Sequence, residues 1–117
     1  MPTECLHGAD FPQLDEISAV GEGPAAIAIS RGGAKKPYAY KDPNEDVVAY
    51  ATSEWGMLAV IADGHAGREG AEVAVERVLE RHAPRWLGTS AIALDMRFEE
   101  EAGDVVHDVN GAMVHAA

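Results

Sequence analysis

Cysteine is nearly missing from this sequence of 117 residues, in which Cys5 is the only one. A single cysteine cannot form an intrachain disulfide, so we expect a reducing, cytoplasmic setting. A secretory signal is not expected either, because residues 1–16 lack a basic start followed by an apolar core. No apolar run in the sequence approaches the ~20 residues that a membrane-spanning helix needs.

Positive charge is scarce as well. Nine Lys and Arg residues stand against 20 Asp and Glu residues, which gives a formal net charge of -11. Nucleic acids and anionic membrane surfaces attract basic proteins, so the sequence predicts no nucleic-acid partner and no membrane partner. An acidic surface is compatible with binding of divalent cations, although most acidic surfaces are simply solvated.

Four segments have the β-branched, aromatic or alternating apolar residues that are typical of strands. They are residues 25–30, 38–40, 46–53 and 57–62. Gly56 lies between the last two segments, which favours a hairpin. Residues 57–62 are apolar at every position, so we expect both faces of that strand to be covered. Residues 1–24 show no clean period and are predicted to be an N-terminal extension or loop.

Two amphipathic helices are predicted after the strands. In residues 67–83 the apolar side chains recur on one face at helical spacing, and Pro84 is expected to end the helix. A second helical stretch begins after Thr89 and includes residues 103–117, which carry another apolar stripe. Antiparallel strands followed by a pair of helices predict an α+β architecture over residues 25–117.

Two acidic motifs flank the predicted hairpin. Asp63, Gly64 and His65 directly follow its second strand, and Glu45 and Asp46 mark the start of its first strand. These two ends lie side by side in an antiparallel pair, so the carboxylates and the Gly64 carbonyl are expected to cluster. An all-oxygen cluster suits Mg²⁺ or Mn²⁺. The alternatives are an aspartate that caps the next helix, a turn glycine, a structural or solvated histidine, and an acidic turn without metal.

Two motifs of this sequence resemble those of the metal-dependent protein phosphatases of the PP2C (PPM) family. The first is NED (44–46) before a strand, and the second is an apolar strand that ends in ADGHAG (62–67) and leads into an amphipathic helix. The family's usual second motif is Asp-Gly-His-Gly-Gly or Asp-Gly-Met-Gly-Gly, and here Ala66 replaces the first of the two following glycines. The resemblance covers roughly residue 25 to the C-terminus. It implies part of the family's four-layer α-β-β-α sandwich, formed by antiparallel strands and a pair of helices.

The resemblance also implies a two-metal site for Mg²⁺ or Mn²⁺. Asp63 would bridge the two ions, while the Gly64 carbonyl and Glu45 would serve one of them directly or through water. Asp46 would support the cluster. Two ions held about 3.5–4 Å apart can lower the pKa of a bridging water and clamp a phosphate group.

The implied reaction is hydrolysis of phosphoserine and phosphothreonine in a phosphoprotein substrate. His65 would act as the general acid that protonates the leaving alkoxide. Lys41, five residues before Asp46, matches the position of a basic residue that binds the substrate phosphate. The family more often has arginine there, and lysine keeps the charge but loses the bidentate fork.

The chain departs from the family in its length. Family members carry two further metal-binding aspartates in a second half, usually one of them in another Asp-Gly motif, whereas Asp63-Gly64 is the single Asp-Gly pair here. We therefore expect the N-terminal portion of a phosphatase domain, with an incomplete site. A missing C-terminal half or self-association would complete the fold. The alternative is a non-catalytic binding or regulatory module, or a degenerate paralogue, built on the same half-fold.

A second possible metal site lies in the last helical stretch, where Asp104, His107 and Asp108 share one face at i, i+3, i+4 spacing. A solvated polar face explains the same pattern and is the commoner case. The segment DPNED (42–46) resembles the start of an EF-hand loop, but Val47 occupies the position that requires glycine.

Overall fold

The computed structural model describes residues 1–33, 44–65, 67–88 and 98–116. Five strands and three helices make up most of this part of the chain. The strands are β1 (Thr3–His7), β2 (Ile17–Glu22), β3 (Ala25–Ser30), β4 (Val47–Ser53) and β5 (Gly56–Ala62). The helices are α1 (Glu69–Arg77), α2 (Ala83–Leu87) and α3 (Phe98–Ala116), with a π-helical turn (Val78–His82) between α1 and α2. The architecture is α+β, as the sequence predicts.

The strands form two antiparallel sheets. The first has the order β1-β4-β5, and the second pairs β2 with β3. A two-residue turn joins β4 to β5, since Ser53 pairs with Gly56 and Val47 with Ala62. Another tight turn joins β2 to β3, where Gly23 has a φ of 62° that glycine adopts without strain. Both hairpins therefore come from local sequence signals.

Strand β4 is the centre of the core, because it is buried on both faces. On one face Val48 and Tyr50 pack against Ile27 and Ile29 of the second sheet. On the other face Val47 and Ala49 pack against Ala71 and Val75 of α1. Alternating side chains of one strand thus hold an α-β-β stack of three layers together. The described ranges do not include a helical layer on the outer face of the second sheet.

The prediction that residues 1–24 form an extension or loop is wrong. Residues Thr3–His7 pair with β4, and residues Ile17–Glu22 pair with β3. The side chains of β1 are mostly half-buried and those of β2 mostly exposed, so neither strand has a clear apolar face in the sequence. Their pairing is set by contacts with β3 and β4 rather than by their own pattern.

The prediction that both faces of β5 are covered is also wrong. Leu58 and Val60 pack on the helical side, but Met57 is 53% and Ile61 79% exposed. The second sheet lies over β1 and β4 and leaves this face of β5 open.

Pro84 does not end the helical path, contrary to the sequence prediction. It lies in the first turn of α2, a position that tolerates proline because the N–H there has no helical partner. The π-helical turn precedes it, and the chain continues helical to Leu87. Within the described ranges, no helix is both long enough and apolar enough to cross a membrane.

Helix α3 packs mainly on α1, and polar contacts join it to α1 and to the π-helical turn. The Arg77 guanidinium donates two hydrogen bonds of 2.8 Å to the Asp108 carboxylate, and His82 Nε2 lies 2.7 Å from Asp108 Oδ2. Arg85 also pairs with Glu101. These contacts attach α3 to α1, to the π-helical turn and to α2.

Candidate functional site

The hairpin of β4 and β5 brings the two acidic motifs to the same edge of the sheet. Asp46 immediately precedes β4 and Asp63 immediately follows β5, and the adjacent residues Val47 and Ala62 are paired. Strand β1 ends at this edge too, because His7 pairs with Val47. The predicted juxtaposition of the motifs is therefore confirmed.

Direct hydrogen bonds connect the two motifs. The Gly64 N–H donates to Asp46 Oδ1 at 3.2 Å, and the Gly67 N–H donates to Glu45 Oε2. Both carboxylates therefore accept backbone N–H groups from the loop that follows β5. Ionised acceptors make such bonds stronger than neutral ones.

Glycine is required where this loop crosses the acidic pair. A Cβ on Gly64 would lie 2.1 Å from the backbone oxygen of Glu45 and 2.7 Å from the Glu45 Cβ. Gly67 has a φ of 125°, a conformation that L side chains rarely adopt. Gly64 therefore permits a close backbone approach, and Gly67 permits a positive φ.

Two further residues bind the backbone of Asp46, and the sequence reasoning assigned neither of them to the site. Asn44 is 5% exposed, and its Oδ1 accepts the Asp46 N–H at 3.3 Å. The Gly8 N–H donates to the Asp46 carbonyl oxygen at 2.7 Å. The signal for Asn44 was present, because asparagine side chains accept N–H groups two residues ahead. Gly8 carried no such signal, since its contact joins residues far apart in the sequence.

The proposed acid and metal-bridging residues lie at the surface. Asp63 and His65 are both exposed, Asp46 is exposed, and Glu45 is half-buried. Solvent and a substrate can therefore reach the end of β5. Lys41, predicted to bind phosphate, lies outside the described residues.

A cleft of about 200 Å³ opens next to Asp46, between the two sheets. Its described lining consists of Asp46 and of residues from β3, β4 and β5: Ala28, Ile29, Ser30, Val47, Val48 and Ile61. Asp46 is the one charged side chain in this described lining. The cleft is therefore mostly apolar, with a carboxylate at its edge.

The described residues fit a metal site only in part. Carboxylates and a backbone carbonyl are the donors that Mg²⁺ and Mn²⁺ prefer. In the described part of the chain, however, no group of three or more His, Cys, Asp or Glu side chains is arranged to hold a metal ion. Glu45, Asp46 and Asp63 therefore do not make a complete set of side-chain ligands by themselves.

The alternative cluster in α3 has a structural role. Asp108 is bound by Arg77, and this bond and the one from His82 hold the pKa of its carboxyl well below its usual range. Arg81 lies 3.6 Å from the same carboxylate. Because Asp108 is committed to two arginines and a histidine, the spacing of Asp104, His107 and Asp108 does not mark a metal site.

Comparison of the chain with protein-family models, with curated proteins and with solved structures gives no match. The resemblance to the PP2C family therefore depends on the two motifs and on their position at one sheet edge.

Proposed function

We propose that this chain carries the N-terminal portion of a metal-dependent protein serine/threonine phosphatase site of the PP2C type. One observation carries the proposal: the hairpin register places Glu45-Asp46 beside Asp63-Gly64, and hydrogen bonds connect the two motifs. The remaining ligands would come from a C-terminal half or from another copy of the chain. A cytoplasmic setting and a phosphoprotein substrate belong to the same proposal.

The exposed residues suit distinct parts of phosphomonoester hydrolysis. The Asp63 carboxylate and the Gly64 carbonyl would hold Mg²⁺ or Mn²⁺, with Glu45 and Asp46 beside them. The ions would supply an activated water and neutralise charge on the phosphoryl oxygens. His65 follows the metal-holding pair and is exposed, so it can donate a proton to the departing serine or threonine oxygen. Lys41 would bind a phosphate oxygen as a point charge.

A Mn²⁺ titration of the 117-residue chain tests the site. Mn²⁺ is paramagnetic, so a bound ion selectively broadens the amide signals near it in a ¹H–¹⁵N spectrum. We expect broadening around Asp63 and Gly64 in the wild type and its loss in Asp63→Asn. Asp104→Asn is the matched control, because it removes one exposed carboxylate on α3 and changes the net charge equally. Equal broadening in wild type and Asp63→Asn would refute the assignment.

Hydrolysis of p-nitrophenyl phosphate and of a phosphothreonine peptide tests the reaction itself. Activity that requires Mn²⁺, stops with EDTA and is lost in Asp63→Asn would support the phosphatase. Asp104→Asn should retain the wild-type rate. His65→Asn should slow the peptide more than p-nitrophenyl phosphate, whose leaving group needs less protonation.

The second candidate is a non-catalytic binding or regulatory module on the same half-fold. The lack of a group of three metal-ligating side chains in the described ranges favours it. This candidate predicts a folded chain whose Asp63 and Gly64 signals do not respond to Mn²⁺. The same titration therefore separates the two functions.

A further inference from the structure

The acidic pair before β4 touches the Asp-Gly loop through backbone groups of the loop. Asp46 accepts the Gly64 N–H at 3.2 Å, and Glu45 accepts the Gly67 N–H. These amides lie just beyond the last paired residue of β5, so no sheet partner satisfies them. Gly67 is buried, so its N–H needs an acceptor, which Glu45 provides. The Gly64 N–H is bonded to Asp46 in a more exposed position.

The acidic pair is itself fixed to the sheet. The Gly8 N–H binds the Asp46 carbonyl oxygen at 2.7 Å, and Asn44 Oδ1 accepts the Asp46 N–H. A Cβ on Gly8 would lie 2.3 Å from Asn44 Oδ1, so the segment after β1 also packs tightly here. Three chain segments therefore interlock at one sheet edge.

The close packing limits where the loop can lie. Gly64 passes so near Glu45 that a Cβ would lie 2.1 Å from its backbone oxygen. Gly67 is buried and has a positive φ of 125°. The two hydrogen bonds span this crossing, one on each side of His65. They hold the backbone on which Asp63 and the Gly64 carbonyl depend.

We propose that Glu45 and Asp46 are positioning residues, which hold the backbone of Gly64 and Gly67 in its folded geometry before any cation binds. The clamp, meaning Glu45, Asp46 and their bonds to Gly64 and Gly67, requires an acceptor oxygen at each position. A cation ligand requires negative charge as well. The clamp stands independently of the proposed function, and only its consequence for a metal site rests on that function.

Amide variants separate the two roles. Asn at 46 and Gln at 45 keep a side-chain oxygen that can accept an N–H, but they remove the charge. Ala at either position removes the acceptor. A positioning role therefore predicts rescue by Asp46→Asn and Glu45→Gln, relative to Asp46→Ala and Glu45→Ala. A role restricted to cation binding predicts that amide and alanine variants behave alike.

Hydrogen exchange of the Gly64 and Gly67 amides in EDTA provides the test, because it reports each bond without a metal or a substrate. We expect both amides to be protected in the wild type. Asp46→Ala should accelerate exchange at Gly64 about tenfold or more, and Asp46→Asn should stay within about threefold. Glu45→Ala should likewise accelerate exchange at Gly67 more than Glu45→Gln does. Glu54→Ala, an exposed acid at the other end of the hairpin, is the matched control.

Unprotected Gly64 and Gly67 amides in the wild type would overturn the proposal, whether or not the variants fold. Equal exchange in Asp46→Asn and Asp46→Ala would overturn it as well, provided that the Tyr50 amide in β4 stays protected. The outcome is separate from that of the Mn²⁺ titration. Protected amides without a Mn²⁺ response would support the clamp and refute the phosphatase. A Mn²⁺ response with unprotected amides would refute the clamp and support the metal site.

Discussion

Substitution of Gly64 by alanine should strongly destabilise the fold, because the added methyl group has no space. Its Cβ would lie 2.1 Å from the Glu45 oxygen, 2.7 Å from the Glu45 Cβ and 2.8 Å from the Glu45 carbonyl carbon. These atoms belong to the backbone or its first side-chain carbon, so no rotamer change relieves the clash. The loop must move by more than about 1 Å to reach ordinary contact distance.

The cost has two parts. Overpacking at a tight site costs about 1–3 kcal/mol. The displaced loop also weakens the bond from the Gly64 N–H to Asp46, which contributes about 0.5–1.5 kcal/mol because it is exposed to solvent. The sum is about 1.5–4.5 kcal/mol, and it lowers Tm by roughly 6–18 °C for a domain of this size.

Gly70→Ala is the matched control for this change. Gly70 lies in the first turn of α1 and has nothing within 4 Å of an added Cβ. Alanine is the better helix former by up to about 1 kcal/mol, so Gly70→Ala should leave Tm unchanged or raise it. Thermal unfolding followed by far-UV circular dichroism compares the two variants. A Gly64→Ala protein with the Tm of Gly70→Ala would refute the close approach at Glu45.

Two further predictions concern helix α3 and strand β5. The Asp108 carboxylate has a lowered pKa, chiefly through Arg77 and then His82, so its stabilisation is present above its unfolded pKa and lost as the pH falls. In urea unfolding, the free energy of unfolding of the wild type should exceed that of Asp108→Asn by a constant amount near neutrality. This difference should narrow progressively below about pH 4, and a difference that stays the same in acid would contradict the prediction. Strand β5 exposes Ile61 at a sheet edge without charges, so the chain should self-associate and Ile61→Lys should shift it towards monomer. Sedimentation velocity measures this, with the exposed Val106→Lys as control; a wild-type monomer would refute the prediction.

The hairpin and its acidic edge could be predicted because their signals are local. A two-residue turn sets the register of β4 and β5, and that register alone brings Asp46 beside Asp63. The hydrogen-bond partners of the Glu45 and Asp46 carboxylates could not be predicted. A sequence pattern can bring carboxylate oxygens close together. It does not show that these oxygens already accept hydrogen bonds from backbone N–H groups of the loop, as Asp46 does from Gly64.

Strand β1 could not be predicted for the opposite reason. Its residues pair with residues of β4 that lie 40 or more positions further along the chain, and its side chains are mostly half-buried. A strand of this kind acquires its conformation from the neighbouring strand rather than from its own pattern. The open face of β5 has a related cause. Met57 and Ile61 are apolar enough to be covered, but coverage depends on how far the second sheet extends.

The position of β4 explains why the acidic pair and the loop after β5 are held together although one face of β5 stays uncovered. Both faces of β4 are buried, and the segments after β1, before β4 and after β5 meet at its first residue. Gly8, Asn44 and the acidic pair therefore lie at the start of a strand that is buried on both faces. The uncovered row, from Met57 to Ile61, runs along the neighbouring strand. Under the proposed function, a further chain segment would cover β5 without displacing the contacts of Gly64 and Gly67 with the acidic pair.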